Sequence, residues 1–122
     1  MKLRIRGDSI RLRLTQAEVA ALAEGRSVEE STGFAPGSAL VYAVVVGAPT
    51  LSARLTGARV EVAVPAEIAR AWATGDSVGI EATQDAGQGR TLRILVEKDF
   101  ACLTTRPHED DADAFPNPNT SC

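Results

Sequence analysis

Apolar and polar residues alternate along Leu3 to Leu14, LRIRGDSIRLRL, and alternate again fifty residues later along Ala53 to Val64, ARLTGARVEVAV. Alternation of period two is the mark of a strand with one buried face. A glycine interrupts each stretch at its middle, in Gly7-Asp8 and Gly57-Ala58. Gly-X is the chemistry of a two-residue type II′ loop, whose first position needs positive φ. Each stretch therefore predicts a hairpin. Such a turn pairs Ile5 with Ile10 and Leu3 with Leu12 on one face, and Arg4 with Arg11 and Lys2 with Arg13 on the other. In the second copy it pairs Leu55 with Val60, Ala53 with Val62, and Arg54 with Glu61.

The echo continues downstream. Thr15-Gln16-Ala17-Glu18 is a capping box, followed by an apolar stripe of Val19, Leu22 and Ala23 and a stop at Gly25. The second copy has Pro65 at a helix start, a stripe of Ile68, Ala71 and Trp72, and a stop at Gly75. Strands Ser27 to Thr32 and Ser77 to Thr83 follow. Each unit closes on another alternating strand: Leu40, Tyr42, Val44 and Val46 in the first, Leu92, Ile94 and Val96 in the second. The unit is ββαββ, twice. One unit leaves apolar faces and sheet edges open, and two units closing on each other cover them. The expected fold is mainly β with two short helices: one domain over 1–122, formed of repeat one (1–47), repeat two (51–98) and an acidic, irregular C-terminal tail (99–122). The repeats form one small pseudo-twofold barrel of about eight strands. Phe34 is expected to plug a barrel end, Gly47 to Thr50 to link the units, and Gln84 to Arg90 to form a hairpin loop.

The stretch VEVAVPAEIARAWATGDSVGIEA resembles the core of the AbrB family of transition-state regulators and of MazE-type antitoxins. The matching positions are Val64, Pro65, Glu67, Ile68, Gly75, Asp76 and Val78. The first repeat follows the pattern weakly, with Thr15 for Pro65 and Arg26 for Asp76. The resemblance implies a swapped-hairpin or double-psi barrel. The whole chain, opening MKLRIRGDS and ending with EKDFACL and FPNPN, also resembles a bacterial family of small proteins of unknown function.

Aromatic residues make up 4% of the chain, so the core must come from Val, Leu, Ile and Ala. No apolar run reaches membrane-spanning length. The charged, alternating start has no signal-peptide h-region, so a cytoplasmic location is expected. There thiols stay reduced, which disfavours a Cys102–Cys122 disulfide. The net charge of −3 hides an asymmetry: residues 1–100 hold twelve cations and twelve acids, and the remainder holds Arg106 against Glu109, Asp110, Asp111 and Asp113.

Two clusters could carry function. Lys2, Arg4, Arg11 and Arg13 share one face of the first hairpin with no acid between them. Like charges in cross-strand positions repel, so this face is a solvated, solubilising surface, a contact for a nucleic-acid phosphate or other anion, or a dock for the acidic tail. Arg54 opposite Glu61 breaks the pattern in the second copy, which weighs against symmetric DNA reading. In the tail, Cys102, His108, Asp111 and Cys122 could satisfy tetrahedral zinc, although no CxxC or HxxxH spacing is present. Ca²⁺ and Mg²⁺ loops of DxDxDG type are absent. An activated nucleophile is not evident, since acidic neighbours raise a thiol pKa. The favoured expectation is a non-enzymatic binding module whose tail takes a metal ion or a protein partner, with a homodimer as a further form of partner. An AbrB-like DNA-binding regulator is the alternative, and a double-psi-barrel enzyme the second alternative.

Overall fold

The computed structural model describes residues 1–100 and 115. In chain order the elements are β1 (Lys2–Arg6), β2 (Ser9–Leu14), α1 (Gln16–Ala23), β3 (Val28–Ala35), β4 (Ser38–Val46), β5 (Ser52–Thr56), β6 (Arg59–Val64), α2 (Ala66–Thr74), β7 (Gly79–Gly87) and β8 (Arg90–Lys98). The ββαββ unit thus occurs twice. Both first hairpins have the expected register, Ile5 opposite Ile10 and Leu55 opposite Val60. Their turns are set by Gly7 (φ 53°) and Gly57 (φ 56°), a backbone region that side-chain-bearing residues avoid.

The strands form two four-stranded sheets, β1-β2-β8-β7 and β3-β4-β6-β5. Each sheet takes one hairpin from each repeat. The junctions are the parallel pairs β2–β8 and β4–β6. The expected closed barrel is not formed. At one seam β5 and β7 are joined by a side chain rather than a backbone ladder: the Ala53 N–H donates to Gln84 Oε1 at 2.9 Å and Gln84 Nε2 donates to the Ala53 carbonyl at 2.8 Å. At the other seam the N-terminal amine lies 2.5 Å from Glu30 Oε1 on β3. The strands at the open seams, β1 and β5, are five residues long and each ladders on one side only.

The core lies between the sheets and draws on both repeats. Leu12, Leu14, Leu22, Val44, Val62, Val64, Ile94 and Val96 are its largest fully buried side chains. Burying each stabilises the fold by roughly 1.5–3 kcal/mol. Helices α1 and α2 pack on each other over this core. The capping box of α1 forms as expected: Glu18 N–H donates to Thr15 Oγ1 (3.3 Å) and Thr15 N–H to Glu18 Oε1 (2.9 Å). Its other end closes with Arg26 N–H on the Ala21 carbonyl and Gly25 N–H on the Leu22 carbonyl, Gly25 being left-handed.

Several expectations need correction. In α2 the buried residues are Ala69 and Trp72, and Ile68 is 42% exposed. Ala69 and Trp72 are three apart on one helix face, and Ala71, expected in the stripe, is exposed. Phe34 does not plug an end; it is 73% exposed, at a bulge where the β3–β4 register shifts between Gly33 and Ala35. The strands after the helices are longer and start later than expected, at Val28 and Gly79. The Gln84–Arg90 loop shrinks to a turn at Gln88-Gly89, both with positive φ, because strand pairing extends to Gly87 and Arg90. Among the described residues no helix is long and apolar enough to cross a membrane.

Candidate functional site

Period two places Lys2, Arg4 and Arg6 of β1, and Arg11 and Arg13 of β2, on the face of the first sheet that points away from the core. The parallel pairing of β2 with β8 sets Ser9 beside Arg93, Arg11 beside Leu95 and Arg13 beside Glu97. This brings together residues from opposite ends of the chain. A cleft of about 60 Å³ opens on the face, lined by Arg4, Arg6, Ser9, Ile10, Arg11, Arg93 and Leu95. Arg11 and Leu95 form its floor, each 7% exposed. The Ser9 hydroxyl donates to the Arg6 carbonyl at 2.8 Å.

The expectation of an acid-free, solvated face is corrected by the same pairing. Arg11 is buried, and its Nε lies 3.5 Å from Oε1 of the equally buried Glu97. Arg93 Nη2 lies 3.1 Å from Glu81 Oε2, and Lys2 Nζ 3.1 Å from Asp99 Oδ2. None of Arg4, Arg6, Arg11, Arg13 and Arg93 is without a partner. The face still carries six cations (Lys2, Arg4, Arg6, Arg11, Arg13, Arg93) against four carboxylates (Glu81, Asp85, Glu97, Asp99). Beside the cleft the β1–β2 turn is tied to β8. Arg90 Nε donates to Asp8 Oδ2 at 3.1 Å, and Arg93 N–H donates to the Asp8 carbonyl at 2.9 Å. The Arg90 hydrogen bonds hold the exposed Asp8 carboxyl below its usual range.

The second sheet gives an internal comparison. At the positions equivalent to Arg4, Arg11 and Arg13 it carries Arg54, Glu61 and Ala63. Arg59 Nη2 lies 3.2 Å from Glu61, and the same guanidinium pairs with Glu29. That face is neutralised by its own side chains, so the cationic excess belongs to the first sheet alone.

Two larger hollows lack comparable chemistry. A groove of about 540 Å³ lies where the helices meet Lys98, Asp99 and Phe100, lined largely by Leu14, Val19, Ala20, Ala23 and Ala73. Lys98, its cation, donates to the Gly75 carbonyl at 2.9 Å and lies 5.9 Å from the Trp72 ring centroid. A hollow of about 420 Å³ between Gly47–Pro49 and Pro65–Ile68 holds one titratable group, Glu67.

Of the residues expected to bind anions, Lys2, Arg4, Arg11 and Arg13 share one face, and Arg4 and Arg11 reach the cleft. Arg6, Ser9 and Arg93 complete the cleft and were not legible as site residues. Arg93 sits between Leu92 and Ile94 on a strand whose alternation was plain, but its neighbour β2 could not be read from periodicity. The expected metal ligands Cys102, His108, Asp111 and Cys122 lie outside the described residues. Among the described residues no group of three His, Cys, Asp or Glu side chains could hold a metal ion.

A family model described as a family of unknown function, DUF7009, matches residues 1–119, and the chain belongs to that family. No curated protein and no solved structure matches the chain.

Proposed function

We propose that this protein is a non-enzymatic binding module whose working surface is the outward face of the first sheet, and whose ligand presents a compact anion, a phosphate or carboxylate group. The observation that supports this reading is the convergence of Arg4, Arg6, Arg11 and Arg93 with Ser9 on one small cleft. Guanidinium groups offer planar forks of donors that match such oxyanions, and they stay charged at every physiological pH. A hollow of about 60 Å³ suits one anionic group of a larger ligand, whereas sites for whole drug-sized cofactors start at roughly 300 Å³. The test is isothermal titration of the full chain with inorganic pyrophosphate at low salt. Charge-assisted hydrogen bonds contribute about 1.5–3 kcal/mol each, so Arg4→Gln with Arg93→Gln is expected to weaken binding by roughly a hundredfold. Equal affinity in that variant and the wild type would sink the reading.

A second reading, an AbrB-like regulator that contacts DNA through Lys2, Arg4, Arg11 and Arg13, is favoured by the interleaving of the two repeats' hairpins. The neutral second face opposes it, because only one side of the pseudo-twofold offers cations. Retention on duplex DNA that weakens steeply as salt rises is the expected result. No retention at low salt would dispose of this version.

A further inference from the structure

We infer that the chain carries its own ligand for the arginine face: the acidic segment 109–113 docks there in cis and competes with any external anion. This inference rests on the reading of that face as an anion-binding surface. Three observations carry it. The first is charge. The face has two cations in excess of its carboxylates, and Glu109, Asp110, Asp111 and Asp113 put four acids into five residues. The second is the place where the described main chain ends. Asp99 N–H donates to the Leu14 carbonyl at 2.9 Å and Asp99 pairs with Lys2 at 3.1 Å, so the chain leaves β8 at the edge of this face and not of the neutral one. The third is reach. The way back along β8 from Asp99 to Arg93 is about 20 Å at strand spacing. The nine residues from Phe100 to His108 span up to about 30 Å when extended. The segment reaches the cleft with slack for one reversal, and Pro107 precedes it by two residues.

A tethered segment of this kind acts at an effective concentration on the order of millimolar. An external anion must displace it, so the affinity of the free face is masked. The device would make the module respond to ligands of high charge density and ignore weak ones. Salt acts in the same direction on both contacts, with a screening length of about 8 Å at physiological ionic strength, so the comparison is made at one fixed low salt concentration.

The test uses full-length protein throughout. The wild type and the tail variant E109Q/D110N/D111N/D113N are titrated with inorganic pyrophosphate, each also in the R4Q/R93Q background, with circular dichroism to confirm folding. The expected result is that neutralising the tail tightens pyrophosphate binding by about tenfold, and that R4Q/R93Q removes this gain. Equal affinities for wild type and tail variant, with binding still abolished by R4Q/R93Q, would overturn the tail inference and leave the anion-binding reading standing. No binding by either protein would overturn both. A gain that grows with protein concentration would show the segment acting on a second copy, and would overturn docking in cis.

Discussion

At the β5–β7 seam the Gln84 side chain stands where a backbone ladder would close the barrel, and its removal tests how the fold is closed. Its amide makes two hydrogen bonds to a single residue, accepting from the Ala53 N–H at 2.9 Å and donating to the Ala53 carbonyl at 2.8 Å. Both residues are half-buried. A net value of about 1 kcal/mol per bond predicts that Gln84→Ala loses about 2 kcal/mol, or roughly 8 °C in Tm for a chain of this size. Gln84→Glu is the sharper variant. At neutral pH one carboxylate oxygen still accepts from the N–H, but the other faces the Ala53 carbonyl oxygen with no proton between them. Its pKa in the folded state is therefore raised. A raised pKa means that stability is present below the ordinary glutamate range near 4.3 and is lost as pH rises through the folded value. Gln84→Glu should be at least as unstable as Gln84→Ala at pH 7 and should approach wild type in acid. Thr32 is the control, since it faces Leu40 in β3–β4 as Gln84 faces Leu92 in β7–β8. Thr32→Ala should stay within about 0.5 kcal/mol. Urea unfolding with constant m-value is the assay. A loss under about 0.5 kcal/mol for Gln84→Ala, or a Gln84→Glu curve that overlays wild type at pH 7, would refute the argument.

Two further outcomes follow from the helices. Trp72 is 2% exposed and its Nε1 donates to the Val78 carbonyl at 3.3 Å; Trp72→Ala should cost about 3–5 kcal/mol and Trp72→Phe much less, by chemical denaturation followed by far-UV circular dichroism. Burial pushes the Glu18 carboxyl up, but hydrogen bonds from the Thr15 backbone and the N-terminal amine outweigh it and hold the pKa below its ordinary value near 4.5. A depressed carboxylate stabilises above the unfolded pKa and stops doing so as pH falls through the folded one. Glu18→Gln should therefore be about 1 kcal/mol less stable than wild type at pH 7, with the gap closing as pH falls from the ordinary glutamate value through the lower folded one in parallel urea titrations.

What could be read from the chain was what is local. The hairpin registers followed from Gly7 and Gly57, because a two-residue turn leaves each strand only one pairing. The capping box followed from Thr15 and Glu18. The pairings β2–β8 and β4–β6 join segments far apart in sequence, and alternation says which residues share a face without saying which strand lies alongside. Glu97 therefore could not be foreseen under Arg11, nor Arg93 at the cleft. In α2 the stripe was misread for a different reason. Ile68 and Ala69 are adjacent apolar residues, and hydrophobicity favours the larger one, whereas the buried face is the one that Ala69 shares with Trp72. Phe34 was expected at a barrel end, whereas it sits exposed at the bulge between Gly33 and Ala35 of a sheet that does not close.

The interleaving of the two repeats also sets an order of events during synthesis. Ser9 in β2 has no permanent neighbour on its open side until Arg93 has been made. The first half of the chain emerges with strand edges it cannot yet satisfy, and such edges invite pairing between nascent copies. Lys2, Arg4, Arg6, Arg11 and Arg13 are concentrated on the hairpin that waits longest. Their mutual repulsion between copies would hinder edge-to-edge pairing until β8 arrives, and Arg4, Arg6 and Arg11, once β8 lies alongside, line the cleft. Charge placed there would guard the unfinished chain before it comes to lie around the finished cleft.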